Sequence, residues 1–249
     1  ERFRDTELAA GARRALPGTR VLCFGRELRI DTRPGGQVGE RRAGDANAVL
    51  SICWTSGTTG TPKGVPRSHN MWVATGRCSM AAGAYTADDV LLNPFPLVNM
   101  AALGGFLFPA ALLGCSIVLH HPLDPPLFLK QMQDEKITFT IAPPALLNQL
   151  AKSPELWKQF DFSALRRVGS GSAPLAPWMI ETFRRDYGKE VVNFYGSNEG
   201  ISLFATPETA PEPQVRAALF PRPAAGAAIA TKVADPESGL ELEREGERG

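Results

Sequence analysis

Ten residues, Thr55-Ser56-Gly57-Thr58-Thr59-Gly60-Thr61-Pro62-Lys63-Gly64, hold three glycines, one proline, five hydroxyls and one lysine. Glycine tolerates positive φ and has no side chain, so backbone N–H groups in such a run can close on a phosphate. The hydroxyls add donors and the lysine adds a full positive charge. The chemistry suits a polyphosphate, and a nucleotide is the expected ligand. The run is not a Walker A loop. Counting from Gly57 puts Pro62-Lys63 where Gly-Lys should fall, and Gly64 where Ser or Thr should follow. The bland reading is a Gly/Thr-rich surface turn with a solvated lysine. Two later segments also concentrate functional groups. Gly169-Ser170-Gly171-Ser172-Ala173-Pro174-Leu175 is a string of small residues, which also reads as a tight strand-to-helix turn. Phe194-Tyr195-Gly196-Ser197-Asn198-Glu199-Gly200 sets an aromatic ring, an amide and a carboxylate close together. Taken singly, Tyr195 also reads as core and Glu199 as a solvated carboxylate.

The elements that must position these groups follow from the hydrophobic pattern. Residues 48–54 form an apolar strand that delivers the chain into the first run. Ser68 is placed to cap a helix reaching about Ala82. Asp88-Asp89 marks a turn before a strand over 90–92. A helix over 101–113, a strand over 115–119, a helix over 126–135 and a strand over 137–141 follow. Pro144 opens another helix, where a proline is tolerated. Residues 166–169 form a short strand, 175–187 a helix and 191–194 a strand. Upstream, residues 5–16 have helical spacing, 21–24 read as a buried strand and 31–45 as a loop. Alternating strands and helices of this length argue for an α/β fold, a mostly parallel sheet with helices on both faces. From Thr206 the texture changes, with prolines at 207, 211, 213, 221 and 223. Residues 228–235 alternate as a half-buried strand would, and 241–249 are highly charged. The expected organisation is an α/β core over 1–205, incomplete at its N-terminus. The start of a truncated β-rich subdomain follows over 206–249.

Bulk properties narrow the classes. The 249 residues are 43% hydrophobic and 21% charged, an ordinary globular composition. A net charge of +1 gives no broad electrostatic footprint for nucleic acid. Cys23, Cys53, Cys78 and Cys115 are unevenly spaced with no Cys-x-x-Cys pair, which points to free buried thiols in a reducing cytoplasm. His69 and the pair His120-His121 read as structural or surface residues, and a His/Cys zinc site has little support. The charges at residues 1–5 precede no apolar core, unlike a signal peptide. Residues 90–123 carry no charged side chain other than the two histidines. Their repeated Pro and Gly argue for core elements and against a membrane span.

The segment from Ile52 to His69 resembles, along its whole length, the phosphate-loop signature of the adenylate-forming superfamily. That superfamily comprises the acyl-CoA synthetases, the adenylation domains of peptide synthetases and the luciferases. The resemblance implies that Thr55, Ser56, Gly57, Thr58, Thr59, Gly60 and Lys63 bind the phosphates of ATP. Gly169–Leu175 is similar to the family's small-residue adenine loop, which implies adenine contacts from Gly171, Ser172, Ala173 and Pro174. Phe194–Gly200 is similar to its Tyr-Gly-x-Thr-Glu motif. That places Tyr195 and Gly196 at adenine and gives Glu199 the magnesium carried by ATP, with Lys63 and Glu199 as the catalytic pair. Asn198 departs from the usual threonine, although its amide can still donate to a phosphate oxygen. Asn99 falls where the family has an aromatic residue or histidine at the substrate carboxylate. It can hydrogen-bond a polar substrate group, or cap the helix that follows.

Adenylation joins a carboxylate to the α-phosphate of ATP and expels pyrophosphate. An anion must approach a polyanion, so catalysis rests on positioning and on cations aimed at the phosphates. Residues 90–123 offer no carboxylate to pair a substrate ammonium, so a fatty, aryl or polyketide-type acid is preferred over an amino acid. The resemblance therefore implies a cytoplasmic AMP-forming ligase of the acyl-CoA synthetase kind, acting in fatty acid metabolism. It would use ATP, Mg2+ and CoA, with a small carboxylic acid as substrate and no nucleic acid or membrane span. The alternatives are an adenylation module that loads a carrier protein, and a catalytically incompetent nucleotide-binding fragment. The match covers only the middle of such an enzyme, and the chain reads as an internal fragment of the large N-terminal domain. The family's Thr-Gly-Asp ribose segment and the small C-terminal domain with its catalytic lysine are not in the sequence.

Overall fold

The computed structural model describes residues 2–3, 6–7, 10, 14, 44–55, 61–200 and 202–242. The chain divides into two compact units, Glu1–Ala43 and Gly44–Gly249. In the first, β1 (Arg2–Phe3) and β2 (Thr6–Glu7) pair antiparallel. The helix expected over 5–16 is corrected at its start, because cross-strand pairing takes Thr6 and Glu7; residues 10 and 14 are helical. The strand expected over 21–24 and most of the loop expected over 31–45 lie outside the described residues, as does Cys23.

The second unit opens with a two-stranded antiparallel ribbon, β3 (Val49–Thr55) and β4 (Lys63–Ser68), separate from the main sheet. β3 is the expected apolar strand, but Val49, Leu50, Ile52 and Trp54 are exposed. Alternation gave no sign of β4, because Pro66 sits within it. The proline is accommodated because a two-stranded ribbon leaves N–H positions that no ladder requires. Helix α1 (His69–Gly83) then begins where the sequence places it, with Ser68 Oγ accepting from Met71 N at 3.2 Å. It ends at Ala84, whose φ of 50° turns the chain out of the helix.

The main sheet contains β5 (Val90–Asn93), β6 (Ser116–Leu119), β7 (Phe139–Ile141), β8 (Arg167–Gly171), β9 (Glu190–Gly196) and β10 (Ser202–Ala205). Their order is β10-β9-β8-β7-β5-β6, all parallel except β10, which runs antiparallel to β9. The α/β class with a mostly parallel sheet is as expected. β10 is an addition that the short, serine-led stretch did not announce.

Because side chains alternate across a strand, neighbouring residues feed opposite cores. Leu92 packs with Phe128, Leu146, Met179 and Phe183. These come from α4 (Pro125–Asp134), α5 (Pro144–Lys152) and α7 (Pro177–Tyr187), and Leu156 and Trp157 of the short α6 (Pro154–Trp157) pack against them. Leu91 packs with Tyr85, Phe106 and Phe139 on the other face. That face is covered by α1 and by a continuous helical run formed of α2 (Met100–Ala102), a π-turn (Leu103–Leu107) and α3 (Phe108–Leu113). Among the described residues no helix is long and apolar enough to cross a membrane.

Residues 206–218 lie within the second unit. Arg216 of α8 (Pro213–Ala218) is fully buried and donates to Glu190 Oε2 at 2.6 Å, Ala210 O at 2.8 Å and Pro211 O at 3.1 Å. Asn193 Nδ2 in β9 donates to Arg216 O at 2.9 Å, so the helix is locked to the sheet. The strand expected over 228–235 does not form. Only Ala234 bridges, to Glu241, and the alternating set Ala228, Ala230, Lys232 and Ala234 offers little to bury. Of the described cysteines Cys78 is buried, whereas Cys53 and Cys115 are only half-buried, and all three are free. His120 is structural: it is buried, and its Nε2 accepts from Asp124 N at 3.0 Å.

One buried carboxylate ties the start of β5 to the start of β8. Asp89 is 3% exposed and accepts from Arg166 Nη2 at 2.6 Å and from Thr86 N at 2.7 Å. Burial pushes its pKa upward, but hydrogen bonds from Arg166, Thr138 and Thr86 and the charge of Arg166 outweigh that and hold the carboxyl below its usual range. A carboxyl lowered in this way stabilises the fold above its unfolded pKa of about 4, and the stabilisation is lost as pH falls through the folded value. Asp89→Asn should therefore cost about 1–3 kcal/mol in urea unfolding at pH 7, the range for disrupting a buried hydrogen-bonded charge. The difference between variant and wild type should shrink below about pH 4, and a gap independent of pH would contradict this account.

Candidate functional site

The strand order fixes where a crevice opens. From β5 the chain leaves to one side to form β6, then returns to the other side of β5 to form β7. The sheet therefore reverses direction between β5 and β7, and ligands of open α/β sheets bind beyond the carboxyl ends of the strands at such a point. A cavity of about 490 Å3 lies there. Its walls come from Phe95 after β5, Ile141–Pro144 after β7, Gly171–Ala173 after β8 and Phe194–Asn198 at the end of β9. Thr75 and Ser79 of α1, with Asn99, Met100, Ala101 and Gly105 of the helical run, close the remaining side.

Seven residues singled out in the sequence thus meet at one cavity: Asn99, Gly171, Ser172, Ala173, Tyr195, Gly196 and Asn198. Tyr195 is 48% exposed, with its ring centre 5.7 Å from that of Phe220. Pro174 does not line the cavity and is exposed on the approach to α7. Glu199 is exposed in the turn that follows β9, beside the cavity-lining Asn198. Thr55 ends β3 half-buried, and Lys63 opens β4 as its exposed register partner. Ser56, Gly57, Thr58, Thr59 and Gly60 lie outside the described residues.

The small residues of β8 answer first to packing. A Cβ on Gly171 would fall 2.2 Å from Phe194 O, and one on Gly169 would fall 2.8 Å from the Phe194 ring. The next residue, Ser172, carries a φ of 67°, which turns the strand end toward the cavity. Asn99 caps α2, its Oδ1 accepting from Ala101 N at 2.7 Å, and the residue also lines the cavity. The π-turn after α2 carries Gly104 and Gly105. A Cβ on Gly104 would meet Thr75 Cγ2 at 2.5 Å, and Gly105 O accepts from Tyr85 Oη at 3.2 Å. Widened turns of this kind recur at functional sites. Tyr85 is buried among apolar groups, and burial pushes its phenol well above the usual value, so it acts there as a neutral donor.

Asn198 is where the structure adds most. Its Nδ2 donates to Trp54 O at 3.2 Å, and its own carbonyl accepts from Arg67 Nη1 at 3.2 Å. Both strands flanking the Gly/Thr run are thereby tied to the turn that carries Glu199. One of the two amide N–H donors of Asn198 is thus engaged with backbone. Sequence reasoning missed Arg67, Thr75, Ser79 and Phe95. Only the buried charge of Arg67 could have been a clue, and burial is not visible in a sequence. Among the described residues lining the cavity there is no Asp, Glu, Lys, Arg or His, and no group of three or more His, Cys, Asp or Glu that could hold a metal is present among the described residues.

Family comparison agrees with this geometry: residues 10–249 match the family described as AMP-binding enzyme. The chain belongs to the AMP-binding enzyme family. It is 34% identical over 156 residues to the indoleacetate–CoA ligase of Aromatoleum aromaticum, covering 63% of this chain and 30% of that protein. It is 30% identical over 151 residues to a feruloyl-CoA synthase of Amycolatopsis sp, covering 61% and 30%. Among solved structures, the N-terminal domain of FACL13 from Mycobacterium tuberculosis superposes with a TM-score of 0.65 at 26% identity, over 78% of this chain and 47% of that one. The amide bond synthetase McbA of Marinactinospora thermotolerans gives a TM-score of 0.65 at 26% identity, over 90% and 44%. The matched region spans about a third of the length of the curated relatives.

The packing at this cavity gives a direct test. Gly171→Ala must part β8 from β9, because the obstructing atom is backbone. It should lower stability by about 1–3 kcal/mol in urea unfolding, as overpacking does. Gly105→Ala, whose Cβ would sit 3.5 Å from Ile141 Cδ1, should be close to neutral in the same assay. Equal losses for the two would contradict the assignment.

Proposed function

We propose that this chain carries the nucleotide and acid site of an enzyme that activates a carboxylic acid with ATP. The acyl-adenylate forms with release of pyrophosphate, and CoA then displaces AMP in the whole protein. The observation that carries this reading is the junction of the cavity with the Asn198 turn and the strands of the Gly/Thr run. One site thus offers a small-residue loop, a half-exposed aromatic ring and a nearby carboxylate. Gly171–Ala173 and Gly196 let the base approach backbone, and Tyr195 stacks on it. Residues 55–60 and Lys63 receive the phosphates. Asn99 borders the acid.

Glu199 fits a role toward magnesium, since Mg2+ commonly takes one or two carboxylates and completes its shell with water and substrate phosphates. When bound, the ion would neutralise phosphate charge during the transfer. Glu199 is exposed on its turn and available for that contact. An uncharged cavity lined by Phe95, Ile141, Phe194 and Tyr195 supports an apolar or aryl acid over an amino acid, whose ammonium would find no carboxylate. The CoA-ligase names of the two relatives that act on indoleacetate and ferulate point the same way. The free thiols of Cys53, Cys78 and Cys115 support a reducing, cytoplasmic setting.

Mg-ATP should raise the thermal unfolding midpoint of the chain and Mg-GTP should not, because a ligand that binds only the folded state stabilises it. At a hundred times Kd the gain is about 2.7 kcal/mol. No shift with ATP, or an equal one with GTP, would remove the adenine assignment. Lys63→Ala should weaken ATP about tenfold while leaving AMP within about twofold, in line with one lost charge-assisted phosphate contact. Equal losses in calorimetric titrations would take Lys63 away from the outer phosphates.

A further inference from the structure

Arg67 is 1% exposed and has no carboxylate partner among the described residues. Its Nη2 donates to Thr75 Oγ1 at 2.7 Å and its Nη1 to Asn198 O at 3.2 Å, while its Nε is buried without a partner. The guanidinium carbon stands 4.5 Å from the centre of the Trp72 ring. All these neighbours are neutral. A buried charge is ordinarily paired, because leaving it alone in a low dielectric is costly. Burial accordingly draws its pKa down, with Cys53 acting in the opposite sense, but an arginine stays charged. The other buried arginine among the described residues is different, since Arg216 has Glu190, and the buried carboxylate Asp89 has the partly exposed Arg166.

The unpaired cation has a defined place. Thr75 and Asn198, the two residues it holds, both line the cavity, and no ionisable side chain other than Tyr195 lines it among the described residues. The cavity walls are therefore formally neutral at pH 7 with a positive charge directly behind them. We propose that Arg67 is the charge that makes this cavity select an anion, acting as a positioning residue through Thr75 and Asn198 without touching the ligand. This rests on the adenylation reading for the identity of the anion: the α-phosphate of the nucleotide, the carboxylate of the acid, or both in turn. Its counter-charge would arrive with the ligand, which explains why the fold tolerates an arginine without a carboxylate. The two hydrogen bonds also hold the Asn198 turn at the register that presents Glu199.

The test compares each anion with a neutral twin: AMP with adenosine, and phenylacetate with phenylacetamide, by calorimetry on the whole chain. Wild type should prefer the anion in at least one pair. Arg67→Met should reduce that preference by about tenfold, the scale of one charge acting across several ångströms of protein, and leave the neutral twin within about twofold. Arg67→Lys, which keeps the charge, should retain most of the preference. Should Arg67→Met fail to fold, Arg67→Gln removes the charge while keeping donors, and the same loss is expected. Equal weakening of anion and neutral twin, or a Lys variant as impaired as Met, would reduce Arg67 to a structural role and overturn the proposal. A wild type with no anion preference overturns it too, and adenosine binding would then leave the nucleotide reading standing. Conversely, a preference for phenylacetate that Arg67→Met abolishes, without binding of AMP or adenosine, upholds the role of Arg67 and rejects the nucleotide reading.

Discussion

Between β5 and β7 the parallel sheet changes direction, so the crossovers from these strands leave toward opposite sides and none passes over the gap between their carboxyl ends. The geometry leaves a crevice that backbone alone cannot fill. Seven of the residues that the sequence singles out line that opening. The ends of β7, β8 and β9 supply one wall, and α1 with the π-turned helical run supplies the other. The two cores that sandwich the sheet keep the strand ends in register, so the crevice has fixed walls.

Close backbone approach sets the composition of those walls. β8 and β9 run so near one another at their ends that Gly171 has no room for a methyl group beside Phe194 O. Gly171 thus answers a packing need and also lines the crevice, and neither reading of the Gly169–Leu175 segment excludes the other. Asn99 repeats the pattern, capping a helix and facing the cavity with one side chain.

Polar groups carry the long-range organisation. Asp89 with Arg166, and Arg216 with Glu190, join segments far apart in sequence through buried charge pairs. Arg67 and Asn198 join the ribbon around the Gly/Thr run to the turn holding Glu199, but with neutral acceptors. Buried hydrogen bonds of this kind are modest in net stabilisation and strict in geometry, since a lost partner leaves an unsatisfied group. They are well suited to holding a site in register.

The sequence by itself determined the fold class, the family and most element positions. Ser68 announced α1, the alternation of strands and helices announced the parallel sheet, and the three small-residue and aromatic segments announced a nucleotide. These are local signals: capping, period and glycine content act over a few residues, and the chain carries them wherever it goes. Tertiary structure alone decided the rest. β4 contains Pro66 and exists because β3 lies beside it, β10 because β9 offers an edge, and residues 228–235 stay irregular because no partner reaches them beyond one bridge. Asn198 was read as a phosphate donor and is engaged with Trp54 O, a contact spanning 144 residues. Nothing in the local sequence marks Arg67 for burial. Its burial beside a neutral cavity depends on where α1 and the β9 turn come to rest, and no local pattern encodes the distance between them.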